Sequence, residues 1–112
     1  IADLIVALEY ATLSVIAPKA CANILWKDSS REIEAATLLK MQANALFELG
    51  VVNKILSEPE EGAHMAPDVM ADKIYELLKK EIKYYMTISI KKLIKERIDK
   101  FNNIGNKYLI NG

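Results

Sequence analysis

The sequence is short of the residues that mark most kinds of chemistry. It holds one cysteine, one histidine and one tryptophan in 112 residues. A single cysteine excludes an internal disulfide framework and suits a reducing compartment. One histidine with scattered acids falls short of the donor set of a metal site. The 4 glycines, Gly50, Gly62, Gly105 and Gly112, lie too far apart to form a phosphate-cradling loop. No apolar run approaches the roughly 18 residues of a membrane span. No basic stretch followed by an apolar one opens the chain, so the pattern of a secretory signal is not seen. The formal net charge is zero, which gives no global pull toward nucleic acid.

What is present suits one small folded domain with a modest core: 52% of residues are hydrophobic and 27% charged. The charge is unevenly spread. Residues 1–72 carry 5 basic and 11 acidic side chains, and residues 73–112 carry 10 and 4. The basic half fits a phosphate-bearing ligand or an acidic partner, or more simply the solvated outer face of helices. The chain opens directly on apolar sequence, Ile1 to Leu8, as expected of a segment cut from a longer protein.

The apolar run Leu4–Leu8 reads as a short strand covered on both faces, turned by Glu9–Ala11. Leu13–Ile16 reads as a second strand, ended by Pro18 because proline cannot donate to a ladder. Residues 19–26 suit a short helix, with Trp26 as its core anchor. Ser29 and Glu32 have capping-box spacing ahead of a helix carrying Ile33, Ala36, Leu39, Ala43, Leu46 and Phe47. Gly50 ends that helix, and residues 51–56 form a strand. "SEPEEGAHMAPD" is a loop. Pro67 opens a helix with Met70, Ile74, Leu77, Leu78 and Tyr85 along one stripe. Thr87 or Ser89 opens another, with Ile90, Leu93, Ile94, Ile98 and Phe101 on its apolar side, ended by Asn102, Asn103 and Gly105. The fold class is α/β, short strands plus helices, ending in a helical pair.

The local chemistry is sparse. Cys21 between Ala20 and Ala22 reads as a small packing residue rather than a nucleophile, which would need a base or a helix N-terminus beside it. His64 reads as a hydrogen-bonded loop residue. Residue pattern alone stops at an α/β segment without a complete catalytic set.

Three blocks carry a resemblance. "SVIAPKACANILWKDSS" resembles "YSVISPEGCASILWKD" of the bacterial acetyl-CoA carboxylase carboxyltransferase α subunit. "ALFELGVVNKILSEPEEGAH" is similar to that family's "DLLELGIIDEIIPEPLGGAH", and "LIKERIDKFNNIG" to its "LLEERYEKFRAMG". The blocks keep their order across nearly the whole chain. "ELGVVNKIL" also resembles the wider crotonase superfamily.

The resemblance implies the C-terminal part of a ClpP/crotonase-like fold, built of repeated ββα units. Residues 1–65 would belong to the carboxyltransferase core and 66–112 to a C-terminal helical extension. It implies transfer of a carboxyl group from carboxybiotin, borne on a biotin carboxyl carrier protein, to acetyl-CoA. The product is malonyl-CoA, for fatty-acid synthesis. It implies a carboxyltransferase β subunit as partner, an α2β2 assembly, a cytoplasmic location, and no metal, nucleic acid or membrane. It makes Leu13, Ser14, Val15, Ile16, Ala17 and Pro18 one wall of the substrate pocket and assigns no catalytic residue to this segment. In such a reaction charge develops on the thioester and ureido oxygens, and each backbone N–H aimed at such an oxygen is worth on the order of 3 kcal/mol. In the family a glycine-rich "GEGGSGGAL" block supplies such groups, and it would lie just before Ile1. Departures from the family pattern fall at Leu13, Lys19, Ala20, Glu60 and Glu61. The alternatives are another crotonase-fold acyl-CoA enzyme, a hydratase or a decarboxylase, and a non-enzymatic helical interaction module.

Overall fold

The computed structural model describes residues 2–106. Ile1, where the glycine-rich block was expected to join, lies outside the described residues, as do Lys107 and Gly112. Strand β1 (Val6–Leu8) pairs in parallel with β2 (Lys54–Leu56), with Ala7 opposite Ile55. The crossover between them holds three helices: α1 (Pro18–Trp26), α2 (Glu32–Leu39) and α3 (Ala43–Leu49). Two longer helices follow, α4 (Pro67–Tyr85) and α5 (Ile90–Asn102). The chain is thus mixed α/β, as expected from the sequence.

The core is small and sits where α3 crosses the strands. Ala7, Ala43, Leu46 and Val52 are buried together, with Ile5, Val51 and Ile55 packed around them. Small side chains let the helix lie close to the sheet. A tight turn after α3 makes this possible. Gly50 adopts φ +85, its N–H returns to the Phe47 carbonyl, and the N–H groups of Val51 and Val52 both reach the Leu46 carbonyl. A Cβ at Gly50 would meet only the Ile104 Cα at 3.8 Å, an ordinary contact. Gly50→Ala should therefore cost only the left-handed backbone penalty, about 1 kcal/mol. Gly50→Asn should cost less, and the urea midpoints of the two variants check this order.

The expected second strand is absent. Residues 13–17 form an irregular segment, anchored by a single antiparallel bridge between Thr12 and Gln42. The Leu13 N–H donates to the Met41 carbonyl at 2.9 Å, and the Ala43 N–H to the Ala11 carbonyl at 3.2 Å. That bridge also breaks the long helix expected over residues 33–49. Lys40 turns left-handed at φ 49, and Met41 and Gln42 run alongside Thr12 before α3 begins. The expected capping box is replaced as well. Asp28, not Ser29, caps the turn Ser29–Arg31, and α2 starts behind it.

The helical pair is tied down mainly by polar contacts. Lys54 on β2 pairs with Glu81 on α4, and Lys73 donates to the Ser57 carbonyl at 3.1 Å. Lys100 on α5 donates to the Ala2 carbonyl and, at 3.3 Å, to the Asn53 side chain. The result is a plate, 51 × 45 × 20 Å, with a radius of gyration of 17.3 Å. A compact chain of this length would have a radius near 13 Å. No described helix is long and apolar enough to cross a membrane.

Candidate functional site

Both strands point the same way, so their carboxyl ends open on one edge, where α/β sheets place ligands. After β1 come the turn at Glu9–Tyr10 and the segment Leu13–Pro18; after β2 comes the loop 57–66. Two carboxylates stitch these loops together. Glu58 accepts the Tyr10 N–H at 2.7 Å and the Ala63 N–H at 2.9 Å, while Glu9 accepts the Glu58 N–H at 3.0 Å. An acidic loop reads in sequence as solvated, so this role went unseen. The only cue is that Glu9 and Glu58 each lie just past a strand.

Leu13, Ser14, Val15 and Ala17 are exposed, Ile16 and Pro18 half-buried, and Val15 is 100% exposed. Val15 is thus held fully outward between an anchored bridge and a helix start. Pro18 opens α1 at its first turn, with Ala17 as an N-cap bringing no side-chain hydrogen bond. Ala20 lies inside α1, so the position where the family has glycine needs no positive φ here. An open cleft of about 470 Å³ lies at the Thr12–Gln42 bridge, lined by Thr12, Ile33, Thr37, Met41, Gln42 and Ala45 among others, and none of Leu13–Pro18 lines it.

α1 and α2 meet through Ala22 and Ala35, both fully buried, so small residues set their close approach. Cys21 is half-buried beside them as a free thiol. Trp26 is not a core anchor. It is half-buried, and the Arg31 guanidinium lies 4.0 Å over its ring while donating to Glu34 at 2.7 and 2.8 Å. This stack closes the corner between α1 and α2.

At the same corner the Ser30 hydroxyl donates to Asp28 at 2.6 Å and the Ser30 N–H at 3.0 Å. The hydroxyl bond, then the backbone bond, hold the Asp28 carboxyl below the usual carboxylate range, with a smaller pull from Arg31. Its contribution is present above the unfolded carboxyl's pKa and is lost as pH falls through the folded one. Asp28→Asn should remove this low-pH dependence of the α2 start; amide shifts of Ser30 and Arg31 through an acid titration report it.

A second polar cluster lies at the amino ends of the strands, between α4 and α5. Asp3, Asn53, Tyr85, Glu96, Arg97 and Lys100 line a hollow there. Asn53 closes a two-way pairing with Ile5, accepting its N–H at 2.8 Å and returning its own N–H at 2.8 Å. Burial lowers the Lys100 pKa, against the pull of Asp3, and burial raises that of Tyr85. Arg97 lies 3.7 Å from Asp3, and Tyr85 and Lys100 donate to the carbonyls of Asp3 and Ala2, so the cluster fastens the helices to the segment that leads into β1. His64 sits in the turn Ala63–Met65 with its ring against Gly62, where an added Cβ would come within 2.9 Å. Among the described residues no three His, Cys, Asp or Glu side chains are placed to hold a metal.

The arrangement therefore provides a scaffold and an exposed, largely apolar segment. The sequence profile of the acetyl co-enzyme A carboxylase carboxyltransferase-like family matches residues 1–105, and the chain belongs to that family. Its relatives include the acetyl-coenzyme A carboxylase carboxyl transferase subunits alpha of several bacteria. That of Clostridium botulinum (strain Alaska E43 / Type E3) is 42% identical over 94% of this chain and 38% of its own length. That of Chlamydia pneumoniae is 35% identical over 94% of this chain and 32% of its own length. That of Geobacillus sp. (strain WCH70) is 42% identical over 88% of this chain and 30% of its own length. The chain thus spans about a third of the relatives it matches.

Proposed function

We propose that this chain serves as a part of an acetyl-CoA carboxylase carboxyltransferase α subunit, in the transfer of a carboxyl group from carboxybiotin to acetyl-CoA. The product, malonyl-CoA, enters fatty-acid synthesis in the cytoplasm. Residues 1–65 contribute to a crotonase-like core, and residues 66–112 extend from it. The partners are a carboxyltransferase β subunit and the biotin carboxyl carrier protein, in an α2β2 assembly. The observation that carries this reading is the family match along nearly the whole chain, joined to an apolar segment standing uncovered at the carboxyl ends of the strands.

Leu13, Val15 and Ile16 supply apolar surface to one side of the reacting groups and keep water from them. Pro18 fixes the chain direction as α1 begins, and the bridge Thr12–Gln42 holds the wall from behind. The donors that steady the developing oxyanions come from other parts of the assembly.

The test is the malonyl-CoA-dependent carboxylation of free biotin, the reverse of the transfer, by the full-length protein with its β partner. Val15→Asp should lower kcat/KM at least about tenfold there, equivalent to about 1.4 kcal/mol of transition-state stabilisation. Because Val15 is fully exposed within this chain, the same change should leave the stability of the isolated chain within about 0.5 kcal/mol. Unchanged kinetics in Val15→Asp would remove the wall from the pocket.

A further inference from the structure

Helix α4 carries two apolar faces. The inner one, with Met70, Leu77 and Tyr85, lies toward the strands and shares that side with Glu81, the partner of Lys54. The outer one holds Ala71, Tyr75, Leu78, Ile82 and Met86 at spacings of three and four, and all five are exposed; Met86 reaches 82% and Tyr75 61%. These recurrences form one continuous stripe along a 19-residue helix about 28 Å long. A shallow apolar groove follows Tyr75, Leu78, Ile82 and Met86.

The flank of this stripe is ordered by charge. Asp72 and Glu76 lie along its amino-terminal half, Lys79 and Lys83 along its carboxyl-terminal half, and all four are exposed on the same side. None of Asp72, Glu76 and Lys83 joins an ion pair among the described residues. A parallel copy would bring this flank against the opposite flank of its partner and leave the four charges unmatched. An antiparallel copy, centred between Leu77 and Leu78, sets Asp72 opposite Lys83 and Glu76 opposite Lys79, and the two-fold repeats both pairs. In antiparallel helix pairs the same flank of each helix meets across the seam, as this pattern requires.

We propose that the outer face of α4 docks on the same face of a second copy of this chain, the two helices antiparallel about a two-fold axis. The pairing is isologous, with Tyr75, Leu78 and Ile82 as its apolar seam. It stands apart from the carboxyl-transfer reading, since it uses a face away from the strand ends.

Charge reversal tests it. One variant carries Lys79→Glu and Lys83→Glu, leaving an all-acidic flank; the other carries Asp72→Lys and Glu76→Lys, leaving an all-basic one. Light scattering after size exclusion should give a dimer for the parent. Each variant alone should show a dimer dissociation constant raised at least tenfold, and an equimolar mixture should return to the dimer as a one-to-one pair. Circular dichroism checks that both variants keep their helices. Independently, Leu78→Cys on a Cys21→Ser background should form an interchain disulfide under mild oxidation, because residue 78 lies next to the axis. A monomeric parent, variants that stay dimeric, a mixture no tighter than its parts, or no disulfide at Leu78→Cys would each overturn the proposal. A parent monomer would point instead to cover by another part of a longer chain.

Discussion

The purified 112-residue chain is expected to yield no detectable malonyl-CoA-dependent carboxylation of biotin, even at high enzyme concentration. The reaction needs donors aimed at two oxygens where charge develops, one on the thioester and one on the ureido group. Losing one donor typically costs on the order of 3 kcal/mol, or more than a hundredfold in rate, and losing the set removes measurable turnover. The residues that gather at the strand ends here do other work. Glu9 and Glu58 are occupied in stitching loops, and Leu13–Pro18 offers apolar surface. The relatives, of which this chain matches about a third, have the remaining length in which such donors can lie. Turnover by the isolated chain, abolished by substitution within it, would contradict this.

Val52→Asp is expected to unfold the protein. Val52 is 1% exposed and packs with Ala7, Ala43 and Leu46, the one cluster where helix and strands meet. A carboxylate there has no cation within the cluster, so it loses hydration without gaining a partner. The cost of an uncompensated buried charge is about 3–5 kcal/mol. Domains of this size hold only about 5–15 kcal/mol in total. A chain with so thin a core should sit at the lower end. Cooperative thermal unfolding by circular dichroism should therefore disappear or shift steeply downward in Val52→Asp. Ile33→Asp, at a position 80% exposed, should change it little. Equal effects at the two sites would mean that the core is not where the small buried residues place it.

How much could be read in advance follows from the range of the interactions involved. Gly50, Pro67 and Ser89 punctuate the chain as local backbone chemistry requires: a left-handed turn, a first helical residue and an N-cap whose hydroxyl accepts the Lys92 N–H at 3.2 Å. The break at Lys40 was not legible. The apolar period runs on through residues 33–47, and what stops the helix is a bridge to Thr12, 30 residues away in sequence. The same bridge turns the apolar Leu13–Ile16 from an expected strand into an anchored, exposed segment. Trp26 misled for a related reason. Its size suggests a core, but an arginine five residues on covers it at the surface.

The site was legible only in outline. The assignment of Leu13–Pro18 to a pocket wall rests on resemblance of the "SVIAP" block alone, since exposed apolar residues after a strand have no signature of their own. The Glu58 clamp depends on two loops converging, which no local pattern encodes. On α4 the inward stripe was read correctly for Met70, Leu77 and Tyr85, whereas Ile74 stays exposed and Leu78 is turned outward, into a second stripe that single-face periodicity conceals.

The most direct test of the central claim is complementation in trans. A bacterial carboxyl transferase α subunit truncated before the segment matching residues 1–105 is combined with its β partner, and this chain is added back. Malonyl-CoA-dependent carboxylation of free biotin should rise with added chain and saturate, and Val15→Asp should fail to support it. If the relative's own final segment restores activity while this chain leaves it at baseline, the account is contradicted.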